Sequence, residues 1–232
     1  IQEERGLRGS GVFDTTRLLA RSGFVLDCEA EVGSALSAQP SKVNFTIQVQ
    51  GKAAHAAVAP EQGINAVKAL GAIIAALPSG RIDDETVMNL AKVEGGGAAN
   101  VVPERAVLSG ELRSLDEGKL LALTARVQQA AQQQAAAFGA TASVAFETSY
   151  TLYRAAPGWR STQLFEAACR AEGMQPRFEH TLGGSDANNF NQKGLACLNI
   201  GFEMHNIHSS DEFMRPSQFT RAARLLERII SA

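Results

Sequence analysis

Cysteine is scarce and poorly placed for structural work. The chain has three, Cys28, Cys169 and Cys197, an odd number with no CxxC pair. That argues against a disulfide framework and against a thiolate zinc site, and makes a reducing cytoplasm the expected compartment. A basic excess is also missing. Lys and Arg number 22 against 24 Asp and Glu, for a net charge of -2, so no positive field exists to neutralise a phosphate backbone and no nucleic-acid partner is expected. No apolar run reaches the roughly 18 residues of a membrane-spanning helix, and no signal sequence opens the chain, so no membrane partner is expected either. What remains is ordinary globular usage over 232 residues, 45% apolar and 20% charged, enough for one large or two modest domains with a real core. Position 1 is Ile rather than Met and stands directly before a charged motif, so the chain is expected to be cut from something longer.

The clearest periodicity begins at Val43. Val43, Phe45, Ile47 and Val49 alternate with Asn44, Thr46, Gln48 and Gln50, the period of a strand with one dry face. Ile64, Val67, Leu70, Ile74 and Leu77 then recur at helical spacing, and Pro78 with Gly80 stops the run. Thr86 to Val93 and Ala106 to Arg113 read as two more strands around a Gly95-Gly96-Gly97 turn, the second with Ala106, Leu108, Gly110 and Leu112 on one face. Asp116 is placed to cap a second helix carrying Leu120, Leu123, Val127 and Phe138, closed by Gly139. Ala142, Val144 and Phe146 form a last alternating strand. The order βαββαβ is that of a ferredoxin-like α+β unit, predicted as four antiparallel strands with two helices on one face. The flanks read differently, with buried-strand runs at Phe24 to Leu26 and Leu195 to Ile200. Helices are predicted at Ser161 to Glu172 and at Pro216 to Ile230, where Phe219, Leu226 and Ile229 mark one face and Pro216 suits the first turn. The expected architecture is an α/β domain in two pieces, 1-40 and 154-232, with an inserted α+β unit at 41-153.

Several residues could carry chemistry. Glu3 and Glu4 are adjacent carboxylates, a pattern that is most often solvated surface. Asp27 follows the buried-looking Phe24-Val25-Leu26, which puts it at the end of a strand, where α/β sites collect. Gly183-Gly184-Ser185-Asp186 reads as a flexible turn whose glycines let backbone approach a ligand closely. Asn206-Ile207-His208-Ser209-Ser210-Asp211-Glu212 places a His beside acidic residues. Such a His is a ligand candidate, although a lone one more often lies on the surface, and His205 is an alternative to it. Arg215, Arg221, Arg224 and Arg228 read as the solvated face of the last helix.

In that order, Glu-Glu, Asp, the inserted βαββαβ unit, Gly-Gly-Ser-Asp and Asn-x-His-x-x-x-Glu together resemble the peptidase T branch of the two-zinc aminoacylase and carboxypeptidase superfamily. The resemblance implies a metallopeptidase with two zinc ions, cobalt or manganese being possible substitutes. It also implies that the pieces 1-40 and 154-232 form the catalytic domain and the inserted unit 41-153 a lid, with small peptides or N-acyl amino acids as substrates and a homodimer formed through the lid. Transferred position by position, Glu3 looks like the general base, Glu4 and His208 like ligands of one metal, and Asp27 like a ligand of the other. His55 matches the lid histidine that reaches a reacting carbonyl, in some dimers from the neighbouring subunit. Asn100 and Arg113 match polar groups that hold substrate oxygens, and Gly184 belongs to the substrate-binding turn.

The resemblance carries a mechanism with it. Two metals would lower the pKa of a bridging water and polarise the amide carbonyl, while the unligated carboxylate of Glu3 would take the proton and pass it to the leaving amine. Two features of the family have no match. The upstream His-x-Asp is absent, because none of His55, His180, His205 and His208 begins such a triplet, and so is a later bridging Asp. The family places both ahead of the Glu-Glu pair, so this chain is expected to lack half of the metal site and to be inactive alone. Leu182 stands where peptidase T carries an arginine, a departure from tripeptide specificity. The alternatives are an N-acyl amino acid amidohydrolase or carboxypeptidase of the same superfamily, or a non-catalytic dimerisation module.

Overall fold

The computed structural model describes residues 6–207 and 209–232. Its elements run α1 (Arg8–Val12), β1 (Ser22–Val25), β2 (Ser34–Gln39), β3 (Ser41–Gln50), α2 (Ala66–Ala76), β4 (Gly80–Asp83), β5 (Thr86–Gly95) and β6 (Arg105–Ser114). They continue with α3 (Glu117–Ala137), β7 (Thr141–Tyr150), β8 (Tyr153–Arg154), α4 (Arg160–Ala171), β9 (Arg177–His180), α5 (Asp186–Gln192), β10 (Ala196–Ile200) and α6 (Pro216–Ile230). The fold is α/β, and the chain divides into two compact units. One is Ile1–Pro40 together with Tyr150–Ala232, and the other is Ser41–Ser149.

The Ser41–Ser149 unit is built on a sheet of order β4-β5-β6-β3-β7. β3 pairs antiparallel with β6 in one unbroken register from Ser41↔Ser114 to Gln50↔Arg105. The alternation at Val43 explains that register, because a slip by one residue would turn Phe45 and Ile47 from the dry face to water. Both are buried, with Val49, Leu108, Leu112, Leu70 and Val127 in the same cluster, so α2 and α3 cover one face of the sheet. Each helix starts where the sequence supplies a cap. Asn65 Oδ1 accepts from the Lys68 amide at 2.9 Å, and Asp116 Oδ1 accepts from the Lys119 amide at 2.8 Å, which satisfies amides that have no intrahelical partner.

Two details depart from the prediction. The sheet has five strands, not four, because Gly80, at φ 83°, turns the chain so that Gly80–Asp83 folds back on Thr86–Met88 as an edge strand. The buried stripe of α2 is Ala66, Ala69, Leu70 and Ile73, whereas Val67 is 42% exposed. Small alanines, which the apolar spacing did not weight, face the sheet and let the helix approach it.

In the other unit, β1-β10-β2-β8 form a mixed sheet, with β9 also paired to β2. β1 runs parallel to β10, from Ser22↔Ala196 to Val25↔Asn199, and β10 runs antiparallel to β2. α4 and α6 pack against this sheet through Phe165, Ala168, Ala222, Leu225 and Ile229. The face expected for α6 is corrected at Phe219, which is 58% exposed and meets Phe202 edge-on at a centroid distance of 6.4 Å. Ala222 and Leu225 are buried in its place. Among the described residues no helix is long and apolar enough to cross a membrane.

Candidate active site

Asp27 lies two residues beyond the end of β1. Asn199 on β10 is fully buried and pins it there. The Asn199 Nδ2 donates to the Asp27 carbonyl at 2.8 Å, and the Asp27 amide donates to Asn199 Oδ1 at 3.2 Å. A side-chain amide thus continues the pairing where the backbone ladder stops, so a carboxylate stands just past a strand end with its backbone fixed at both polar groups. Asn199 sits within an apolar run and carries no sequence signal for this role.

The Gly-Gly-Ser-Asp stretch is held from the end of β2. Gln39, 2% exposed, donates from Nε2 to the Gly183 carbonyl at 3.1 Å, and its Oε1 accepts from Ser185 Oγ at 2.7 Å and from Tyr153 OH at 3.1 Å. Ser185 caps α5, and Asn188 closes the capping box by accepting the Ser185 amide at 3.0 Å. Its Nδ2 donates to the carbonyls of Pro40 at 3.0 Å and Thr151 at 2.9 Å. The expected flexible turn is therefore a fixed rim, ordered by a buried amide hub and a helix start. A Cβ on Gly184 would lie 2.2 Å from Tyr150 Cζ and OH, so this position is glycine because an aromatic ring occupies the adjacent space.

These two pieces meet. Asp27, Cys28, Glu29, Ala30, Glu179, His180, Gly183 and Gly184 line a cleft of ≈ 410 Å³, with Gln39 and Ile207 also on its wall. Cys28 is half-buried there, and burial pushes its thiol above the ordinary value, the Ala30 amide at 3.4 Å partly opposing this. Ile207 brings the Asn206 to Glu212 segment to the cleft. That segment is closed on itself by Ser209 Oγ donating to the Asn206 carbonyl at 2.6 Å and by backbone bonds between His205 and Phe213 at 2.9 and 3.1 Å. The His205 ring stacks on Phe213 at 4.8 Å, and its Nε2 is buried with no hydrogen-bond partner among the described residues. Glu3, Glu4 and His208 lie outside the described residues. Among those described, no three His, Cys, Asp or Glu side chains converge as a metal site would require. Asp27 is the implied ligand that the structure does place.

In the Ser41–Ser149 unit, His55 and Asn100 come from two loops tied together at one end of the sheet. The Ala56 amide donates to the Asn100 carbonyl at 2.9 Å, the Val102 amide donates to the Ala54 carbonyl at 2.9 Å, and His55 bridges to Val101. His55 is exposed. Its Nδ1 accepts from the amides of Ala57 and Val58, both at 3.2 Å, so the neutral ring carries its proton on Nε2, which is left to face outward. Arg113 is elsewhere. Gln50 pairs with Arg105 and Lys42 with Arg113, which puts Arg113 eight residues along the strand, roughly 26 Å from the His55 end. There its Nε donates to Glu111 Oε1 at 2.8 Å, and Lys42 Nζ lies 2.7 Å from Glu111 Oε2. Burial opposes ionisation of Glu111, and the bonds from Lys42 and Arg113 more than offset it, holding the carboxyl below its ordinary value.

Residues 38–138 match the peptidase dimerisation domain of the M20 family. Across 99% of its length the chain superposes on the aminopeptidase PepT of Bacillus cereus with a TM-score of 0.88 at 32% identity. It superposes on a tripeptidase of Staphylococcus aureus with a TM-score of 0.92 at 26% identity, again over 99% of its length. The chain is a peptidase T-like member of the M20 family. A protein of Bacillus subtilis named YqjE is 31% identical over 230 residues, 99% of this M20 chain. The chain spans 62% of the length of YqjE, 62% of the Bacillus cereus PepT chain and 61% of the Staphylococcus aureus tripeptidase.

Proposed function

We propose that the protein to which this chain belongs hydrolyses amide bonds in small peptides at a two-metal centre, zinc being the expected metal. The observation that carries the reading is the cleft. It brings Asp27, at a strand end, beside Gly183-Gly184, more than 150 residues away in sequence, and Ile207, which precedes His208 in sequence, lines its wall. In this reading Asp27 is a ligand of one metal, and Glu4 and His208 are ligands of the other. The metals supply charge that acidifies water and polarises a carbonyl. Glu3 takes the proton of the attacking water and returns it to the departing amine, while the Gly184 backbone borders the bound peptide.

His55 Nε2 is the donor suited to a carbonyl oxygen, and Asn100 shares its loop cluster. Arg113, at the far end of the same sheet, suits a carboxylate. Because roughly 26 Å separates them, one copy of the unit serves a single small substrate with one end or the other. A homodimer through the Ser41–Ser149 unit, with His55 and Asn100 serving the neighbouring subunit, accommodates that spacing. The reading of this unit as a ferredoxin-like lid is supported by the order β5-β6-β3-β7 and by helices on one face. A reducing cytoplasm is consistent with three free cysteines, Cys169 and Cys197 being held by burial at about 11 and about 12.

The test separates the two glutamates in protein expressed from its complete reading frame. Glu3→Gln is expected to keep both metals and to lose on the order of 100- to 10,000-fold in kcat with little change in KM. Glu4→Gln is expected to lower metal content by elemental analysis, with partial recovery in excess zinc, because an amide is a poorer partner for a dication than a carboxylate. If both variants turn over di- and tripeptides normally, the pair is surface charge and the reading is wrong.

A further inference from the structure

The chain enters the Ile1–Pro40 piece through an unusual knot of side chains. Leu7 is 3% exposed and sits at φ 61°, a left-handed conformation that a bulky non-glycine residue adopts only when its surroundings impose it. Gly6 before it is also left-handed, at φ 83°. The surroundings that impose the turn come from α5. Asn189, 6% exposed, donates from Nδ2 to the Leu7 carbonyl at 2.9 Å and to Ser10 Oγ at 2.8 Å. Ser10 Oγ lies 2.5 Å from Asp186 Oδ1 and 3.1 Å from the Leu7 carbonyl. A hydroxyl has one proton, and the shorter, charge-assisted contact to the carboxylate takes it. The result is a directed relay in which Asn189 donates to Ser10 and Ser10 donates to Asp186, with every proton used. Lys193, just past α5, completes the clamp. Its Nζ donates to the carbonyls of Ser10, Gly11 and Phe13, each at 2.7 Å, matching three ammonium protons to three acceptors.

We propose that Asp186 is a positioning residue for the reaction read above, which acts through Ser10 to fix the turn at Gly6-Leu7, the stretch that follows Glu3 and Glu4 in sequence. Three observations converge on this. Asp186 opens the helix whose cap, Ser185, is held by the same Gln39 that fixes the Gly183 carbonyl on the cleft rim. The strained residue lies three positions after Glu4 in sequence. The polar groups spent on holding it, two buried side chains and a carboxylate, far exceed what a loop of no consequence requires. Asp186 thereby ties one rim of the cleft to the chain that leads into the glutamate pair. The functional half of the proposal rests on the reading of Glu3 and Glu4 given above.

The test uses protein from the complete reading frame and two independent measurements. Hydrogen exchange read by mass spectrometry reports the anchor itself. Asp186→Ala and Ser10→Ala are each expected to speed exchange in peptides covering residues 7–13 while leaving β10 protected, and unchanged exchange overturns the anchor. Kinetics report its purpose. Asp186→Ala should lower kcat about 10- to 100-fold with KM nearly constant, as a small misplacement of a reacting group does. Asp186→Asn, which keeps Oδ1 as an acceptor for Ser10, should recover most of the loss. Because Ser10 and Asp186 share one bond, the double variant should be no worse than the poorer single variant. Full kcat in Asp186→Ala beside a dead Glu3→Gln overturns the positioning role, and so does a loss that Asp186→Asn fails to repair. Normal turnover by both Glu3→Gln and Glu4→Gln overturns the site reading instead, and the exchange result then decides the anchor alone.

Discussion

Gly183 and Gly184 are neighbours on one cleft wall, and the space beside them differs. A Cβ on Gly183 would meet Thr181 Oγ1 at 3.5 Å, ordinary contact, whereas one on Gly184 would meet the Tyr150 ring at 2.2 Å. Gly184→Ala must displace Tyr150, whose ring is buried at 4% exposure. We expect it to cost about 1–3 kcal/mol, the range for overpacking a filled interior, with Gly183→Ala nearly neutral. Urea unfolding of the two variants checks this, and equal midpoints would show that the ring yields freely. The sequence made both glycines visible as a turn, but the reason for the second is a ring 34 residues away in the chain, which no local pattern encodes. Gln39 and Asn199 were invisible for a related reason. Their polarity is used entirely inside the fold, so within apolar strands they read as interruptions rather than as the residues that hold Gly183 and Asp27.

At the scale of elements, long alternating or helical runs were legible. The strand at Val43, the helix capped by Asp116 and the helix opening at Pro216 stand where periodicity and caps put them. The short strands β1 and β10 showed as apolar runs, but other short elements were not legible. β2, β8, β9 and α5 hold between two and seven residues, too few for a period to develop, and they exist because neighbours across the sheet satisfy them. The polar face of the long strands is also organised. Glu111 stands between Lys42 and Arg113, and with its folded pKa depressed its contribution to stability is complete above its ordinary value of 4.5 and is lost as pH falls through the folded value. Glu111→Gln leaves two cations facing each other without their shared partner. For a half-buried site screened by water we expect a cost of roughly 1–2 kcal/mol at neutral pH. The difference from the parent protein should shrink as pH falls from 4.5 through the lower folded value, below which the folded parent's own carboxyl is neutral too. Thermal melts of both proteins across that range test the sign, and a gap that widens on acidification would contradict it.

For the whole molecule, the division into two units makes a claim about cooperativity. The buried cluster of the Ser41–Ser149 unit runs from Val43 to Ala140, with Ala142 and Val144 packed against it, and among the described residues it draws on none outside the unit. It joins α2 and α3 to one face of the sheet, and at about 110 residues the unit is of a size that folds alone. The other unit is split in sequence, its sheet assembled from β2 on one side of the insertion and β10 on the other, so it closes only after the inserted residues have been made. We therefore expect residues 41–149, expressed alone, to fold with a single cooperative transition by circular dichroism and urea titration. The M20 dimerisation-domain match covers 38–138, nearly the same stretch, so under the homodimer proposed above the fragment should also carry the association surface. Sedimentation of the fragment beside protein from the complete reading frame separates the outcomes. Dimers of both place the association surface in this unit. A folded fragment that stays monomeric while the complete protein dimerises moves that surface elsewhere, and removes the arrangement by which His55 of one copy and Arg113 of another could serve one substrate. A fragment without a cooperative transition would mean that the cluster between Val43 and Ala140 depends on the other unit for its order.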